Sequence, residues 1–235
     1  MSKNIIIVAA GGNGRRMRNK VNKIFFHLRG IPIIFYTLKT LEKSPVIDEI
    51  LITVRKENFM KIKKLIKRSG FKKIKKIIPA NHSRQQSTWR ALKWLEARNT
   101  AKNSLVGVHN AVNPLVKEEE IKEVFKAACR WGAALLAIQA KDTVKIVGKN
   151  SLVLKTPIRN FVWYAQTPQV ARFDLLFKAF KKASQLKDWG TDDTMLLERL
   201  KIKIKIIPCS SENFKITYPL DLILAEEILK RRENV

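Results

Sequence analysis

The sequence predicts an α/β fold, a doubly wound and mostly parallel sheet with a protruding β-arm. Three observations carry this reading. Apolar strand-like runs alternate with helix-period segments along the 235 residues. The first run, Ile5-Ile6-Ile7-Val8, is apolar on both faces, as a buried parallel strand requires. It opens directly into a glycine-rich turn, Gly11-Gly12-Asn13-Gly14.

The elements follow in order. Asn4–Ala10 is a strand. After the break at Arg29-Gly30, the residues Ile31, Ile34, Leu38 and Leu41 are spaced for one helix face. Glu49–Val54 reads as strand, Asn58–Arg68 as a basic helix and Lys73–Ile78 as strand. Arg84–Ala97 reads as helix behind Ser83 as N-cap. Ser104–His109 is strand, Lys117–Arg130 helix and Ala133–Gln139 strand. Asp142–Thr156 alternates loosely, as a hairpin or extended arm does. Phe173–Ser184 and Asp192–Leu200 read as helices. Ile202, Ile204 and Ile206 alternate with lysines as a half-buried strand, and Leu220, Ile223, Leu224 and Ile228 line one face of the last helix. No repeat, linker or low-complexity tract divides the chain, so one domain over 1–235 is expected, with an arm at about 142–159.

Composition excludes several classes. At 46% hydrophobic the chain supports a real core, which argues against disorder. No apolar run reaches the ~18 residues of a membrane span. The N-terminus enters a strand without a signal-peptide pattern, and two cysteines make no disulfide framework; a cytoplasmic protein is expected. The net charge is +27, and no acidic residue occurs between Glu57 and Glu96. The lysines are spread through nearly every segment and lack interleaved stacking aromatics, so they read as solvated faces, not as a nucleic-acid surface.

In such a sheet, ligands bind beyond the carboxyl ends of the strands. The turn after the first strand lacks the Gly-Lys-Ser/Thr of a P-loop and the third glycine of a dinucleotide fingerprint. It carries Arg15, Arg16, Lys20 and Lys23 instead, cations suited to a highly charged anion. Other polar loops gather at the same rim: Ala80–Ser87, His109–Pro114, Lys141–Lys145, Arg159, Gln166–Gln169, Thr191–Asp193 and Asn213–Thr217.

Together these pieces resemble the 2-C-methyl-D-erythritol 4-phosphate cytidylyltransferase family. They are "AGGNGRRM" with Lys23, "RQQS", "HNAVNP", "DTVK", "RNFVWYAQTPQ", "TDD" and "NFKIT" before "PLDLILAE". The ribitol-5-phosphate cytidylyltransferases share several of them. The resemblance implies a Rossmann-like nucleotidyltransferase fold and a homodimer whose arms interlock. It implies CTP and a polyol phosphate as ligands, and Mg²⁺ or another divalent cation as cofactor.

By that resemblance, Arg16 and Lys23 stabilise the transition state, and Arg159 and Lys215 position the substrate phosphate. Ala10, Gly11, Gly12, Gly14, Asn81 and Ser87 bind nucleotide. Asn110, Asn113, Thr143, Thr167 and Thr191 bind substrate, and Asn110 is the candidate metal contact together with the CTP phosphates. Asp192 and Asp193 either bind substrate hydroxyls or cap the following helix. No side-chain nucleophile is needed, because the attacking phosphate is already ionised. Each of these cations is otherwise one solvated charge among 47 lysines and arginines, and position beside the loops sets them apart.

Three positions depart from the family pattern. His-Asp-Ala-x-Arg-Pro becomes His109-Asn110-Ala111-Val112-Asn113-Pro114, removing an acid and a base together. A glycine pair before Arg84 becomes Ala80-Asn81. A proline before Lys23 becomes Asn22, which is expected to loosen that loop. The rival readings are a sister nucleotidylyltransferase acting on ribitol 5-phosphate or a sugar phosphate, a degenerate member of the fold that binds nucleotide or polyanion, and, last, a dinucleotide-binding oxidoreductase.

Overall fold

In the computed structural model, residues 1–12 and 22–233 are described. A seven-stranded sheet runs in the order β11-β7-β10-β6-β1-β4-β5. Its strands are β1 (Asn4–Ala10), β4 (Glu49–Val54), β5 (Ile74–Pro79), β6 (Leu105–Asn110), β7 (Ala133–Gln139), β10 (Trp163–Arg172) and β11 (Lys205–Pro208). β1 is parallel to β4 and β6, and β4 to β5. β10 lies antiparallel between β6 and β7, and β11 runs parallel to β7 at the edge.

Two core layers follow from the period-2 pattern of β1. Ile6 and Val8 face the cluster formed with α1 (Ile33–Lys43) and α4 (Glu118–Trp131). Ile5 and Ile7 face the cluster formed with α3 (Arg84–Ala97) and α5 (Phe173–Leu186). All four are fully buried, so the sheet is covered on both sides, as the apolar run requires. Helix α2 (Phe59–Ser69) ends at Gly70, whose φ of 65° is the left-handed conformation that stops a helix. At the start of α3, Ser83 Oγ accepts from Gln86 N while the Gln86 side chain accepts from Ser83 N, a full capping box.

Two short hairpins stand outside the sheet. β2 (His27–Leu28) pairs with β3 (Ile31–Pro32), which takes Ile31 out of the expected helix. β8 (Ile146–Val147) pairs with β9 (Val153–Lys155) within the expected arm. Ile146, Val147, Leu152, Val153, Leu154, Ile158 and Phe161 on and beside this hairpin are exposed.

Three expectations are corrected. Gln166–Gln169 is not a loop but lies within β10; the ladder to β7 is interrupted between Ala165 and Gln169, where Pro168 has no N–H to donate. The strand read over Ile202–Ile206 begins only at Lys205, which aligns with Ala134, while Ile202 and Ile204 pack into the second cluster. In α7 (Pro219–Glu233), the buried residues are Ala225 and Leu229, with Leu222 packed beside them. Leu220, Ile223 and Leu224 face outward. That helix is apolar nearly all round its first two turns, so periodicity cannot choose its inner face.

Candidate active site

The carboxyl ends of β1, β4 and β6 open onto a cavity of about 440 Å³. Its wall contains Ala10, Gly11, Gly12, Lys23, Ser87, Asn110 and Lys215 from the sequence-derived set. It also contains Arg84, His82 and Thr53, which that set lacks. No carboxylate lines it among the described residues.

The two lysines are held by one segment. Lys23 is only 9% exposed, and its Nζ donates to the Ile216 carbonyl at 2.5 Å. Ile216 follows Lys215 directly, so this bond ties the β1 side of the cavity to the Asn213–Thr217 loop. Asn22 does not loosen its neighbourhood. Its amide nitrogen donates to the Gly12 carbonyl at 3.2 Å, and its oxygen accepts from Ile24 N, closing the helical turn at Lys23–Phe25.

Gly11 has no room for a side chain, since a Cβ there would lie 2.5 Å from the Ala80 Cβ. Ala80 thus packs against Gly11. Asn81 N donates to Ser87 Oγ at 2.9 Å, and Ser87 donates to the Ser83 carbonyl at 2.7 Å. The Ser87 proton is therefore committed, and the hydroxyl faces the cavity as an acceptor.

A polar relay runs inward from the wall. The Arg84 Nη2 donates to Asp193 Oδ2 at 2.6 Å and its Nε to Asn110 Oδ1 at 3.0 Å. Asn110 Nδ2 donates to Asn113 Oδ1 at 3.2 Å, and Asn113 Nδ2 to the Asn213 carbonyl at 3.2 Å. Asn213 Nδ2 donates to the Thr167 carbonyl at 3.0 Å. The asparagines at 110 and 113 thus bond to each other as a neutral pair, which strands no charge.

Fully buried His109 completes the relay. Its Nε2 lies 3.1 Å from the Asn113 carbonyl, which only accepts, so Nε2 carries the ring hydrogen. Its Nδ1 then accepts from the Thr167 hydroxyl at 3.0 Å, and the same oxygen accepts from Asn110 N at 3.3 Å. Burial pushes the imidazole pKa down to about 4, opposed by these bonds and helped by the Arg84 charge. The ring is neutral at physiological pH. The Thr167 proton is spent on it.

Helix α6 (Asp193–Glu198) decides between the two roles of the acidic pair. Asp192 caps it, accepting from Met195 N at 2.8 Å, and also accepts from Gln169 Nε2 at 2.9 Å. Asp193 is 1% exposed beneath Arg84, and burial raises its pKa against the pull of that guanidinium. Both carboxylates are structural neighbours of the site and absent from its wall.

The remaining expected residues lie apart from the cavity wall. Arg159 is exposed beside the arm and donates to the Lys141 carbonyl at 3.2 Å. Thr143 is exposed at the base of the arm, and Thr191 is exposed ahead of α6. Asn81, Asn113 and Thr167 stand one layer behind the wall. Arg16 and Gly14 lie outside the described residues.

A glycine turn and cations at the carboxyl rim of a doubly wound sheet suit a phosphate-rich ligand, and comparison with known proteins gives the family. The sequence model of 2-C-methyl-D-erythritol 4-phosphate cytidylyltransferase matches residues 4–231. The chain belongs to the 2-C-methyl-D-erythritol 4-phosphate cytidylyltransferase family. It is therefore an enzyme, a nucleotidyltransferase. It is 40% identical to the protein of that name from Syntrophus aciditrophicus, covering 99% of this chain and 98% of the relative. It is 36% identical to that from Pelotomaculum thermopropionicum, covering 100% and 97%. A solved 4-diphosphocytidyl-2C-methyl-D-erythritol synthase from Anaerococcus prevotii superposes with a TM-score of 0.85 at 27% identity, covering 97% of this chain and 96% of that one.

The cytidylyltransferase resemblance implies a divalent cation, and the donor set does not fit one bound to protein. The cavity wall carries no carboxylate, and no group of three or more His, Cys, Asp or Glu could hold a metal among the described residues. The Asn110 oxygen, the candidate contact, already accepts from a guanidinium. A cation beside it would meet the positive charge of Arg84.

Of the residues the sequence reading missed, Arg84 and His109 had a signal. Arg84 opens "RQQS" and His109 opens "HNAVNP", both used as family motifs without a role for these two side chains.

Proposed function

We propose that the cavity binds CTP and 2-C-methyl-D-erythritol 4-phosphate together and joins them into 4-diphosphocytidyl-2-C-methyl-D-erythritol. A phosphate oxygen of the polyol attacks the α-phosphorus of CTP. The bond from that phosphorus to the oxygen bridging to the β-phosphate breaks, and pyrophosphate leaves with the electron pair. No proton needs to move, because the nucleophile is already an anion. What opposes the reaction is repulsion between two multiply charged phosphates, so fixed cations supply the catalysis.

The observation that carries this reading is that Lys23 and Lys215 line one cavity with Gly11 and Gly12, with no carboxylate among the described residues of its wall. Lys23, nearly buried, has less water around it than a surface lysine, so its charge is less screened from the leaving pyrophosphate. Lys215 aims the polyol phosphate. The family resemblance gives Arg16 the same task as Lys23. Gly11 and Gly12 bring backbone close to the nucleotide, with Ala10, Gly14, Asn81 and Ser87 around the cytidine. Asn110, Asn113 and Thr167 shape the polyol side. Mg²⁺ enters only as the counter-ion of the triphosphate, since the described wall offers it no carboxylate.

In this reading the enzyme is a cytoplasmic homodimer of single-domain subunits. The exposed apolar hairpin of the arm, 142–159, packs on the second copy. Arg159 and Thr143 then complete a site from across that interface, while Thr191, ahead of α6, serves the site of its own subunit. The test is product identity. Protein incubated with CTP, Mg²⁺ and 2-C-methyl-D-erythritol 4-phosphate should yield the cytidine diphosphate ester by mass spectrometry, with one pyrophosphate per ester. CTP left intact, or cleaved without that ester, overturns the reading.

A further inference from the structure

We propose that Arg84 is a further phosphoryl-binding residue of the cavity, held in place for that task by Asp193 and Asn110. The inference rests on the reading of the cavity as a site for two phosphorylated ligands. Arg84 is the first residue of α3 and lines the same wall as Lys23 and Lys215. Its planar guanidinium is fixed at two of three nitrogens, Nη2 on Asp193 at 2.6 Å and Nε on Asn110 at 3.0 Å. Two anchors on a rigid plane fix its orientation. The third nitrogen, Nη1, makes no hydrogen bond to any described residue, and the side chain keeps 26% of its surface open.

The two anchors are unlike, and that difference matters. Asp193 is an acid only 1% exposed, and its second oxygen, Oδ1, has no hydrogen-bond partner among the described residues. Asn110 is neutral. It accepts from the guanidinium without cancelling charge, so Arg84 faces one carboxylate and not two. A purely structural ion pair has no need of a wall position or of an unused fork. An anionic oxygen arriving at Nη1 would find a preorganised, charge-assisted donor. Phosphoryl oxygen is the ligand chemistry that matches, from either the triphosphate or the polyol phosphate.

The test is equilibrium binding by calorimetry, with CTP and 2-C-methyl-D-erythritol 4-phosphate titrated separately, each with EDTA and with Mg²⁺. Arg84→Gln alone would leave Asp193 buried and unpaired, so the informative variant is the double neutral pair Arg84→Gln/Asp193→Asn. Arg84→Lys is the companion: it keeps the charge beside Asp193 but loses the fork. A cooperative thermal transition establishes that each variant is folded.

The double variant is expected to bind at least one of the two ligands about tenfold or more weakly, with Arg84→Lys intermediate. The ligand that suffers identifies which phosphate Arg84 holds. Wild-type affinity for both ligands in either folded variant overturns the Arg84 proposal alone. A wild-type protein that binds neither ligand overturns the cavity reading, and this proposal with it.

Discussion

Replacing His109 by glutamine should flatten the acid limb of the protein's stability. The ring is fully buried between Thr167 and the Asn113 carbonyl, and burial holds its pKa at about 4 against an ordinary 6.5. As pH falls, the unfolded chain takes up the proton near 6.5 while the native ring refuses it until about 4. The stability that His109 contributes is therefore complete above its unfolded pKa and is lost progressively as pH falls through this window. Integrated over the two protonation equilibria, the loss is about 2 kcal/mol at pH 5 and about 3 kcal/mol below pH 4. Glutamine takes up no proton, so the variant lacks this component whatever its stability at neutral pH. Urea unfolding of both proteins at pH 7.5 and at pH 5 measures it, and His27 and His82, present in both, cancel in the difference. Wild type should lose about 2 kcal/mol more than the variant between those pH values. Parallel losses would refute the neutral buried ring, and with it the hydrogen assignments of Thr167 and Asn113.

Other outcomes follow from the same geometry. Gly11→Ala should weaken CTP binding about tenfold by driving a methyl against Ala80, and Ala80→Gly in the same chain should restore it; calorimetry that shows no rescue would contradict the contact. Asp192→Ala should destabilise the fold by about 1–2 kcal/mol in urea, because α6 loses its cap and the Gln169 Nε2 loses its acceptor, with no direct loss of a ligand contact. Leu154→Asp with Phe161→Asp should shift the protein from dimer to monomer in sedimentation, since both side chains are exposed and apolar on the arm. A protein that is monomeric before the change would remove the basis for a shared site.

Much of the fold was legible because β1, β4, β6 and β7 are nearly continuous apolar runs, and α3 announces its start with Ser83 and Gln86. What escaped is set by tertiary context. β10 reads as a loop because Thr167 and Pro168 break its ladder, and only its neighbours β6 and β7 make it a strand. The inner face of α7 depends on what packs against it, which periodicity does not encode. At the site, the glycine turn, Lys23 and Lys215 were readable because they lie in the connections that follow strands. Arg84 and His109 were not singled out, since their roles depend on partners far away in sequence: Asp193 for the first, Thr167 for the second. The Asn110–Asn113 pair looked like a loss in sequence, and the structure shows it bonded through to Asn213.

The most direct test of the whole account is the rate of pyrophosphate release from CTP with 2-C-methyl-D-erythritol 4-phosphate, set beside ribitol 5-phosphate and beside the Lys215→Ala variant. The account requires release with the methylerythritol phosphate, little with ribitol 5-phosphate, and a loss of about 10²-fold or more when Lys215 is removed. Release with ribitol 5-phosphate alone, or a rate indifferent to Lys215 in a folded protein, would contradict it.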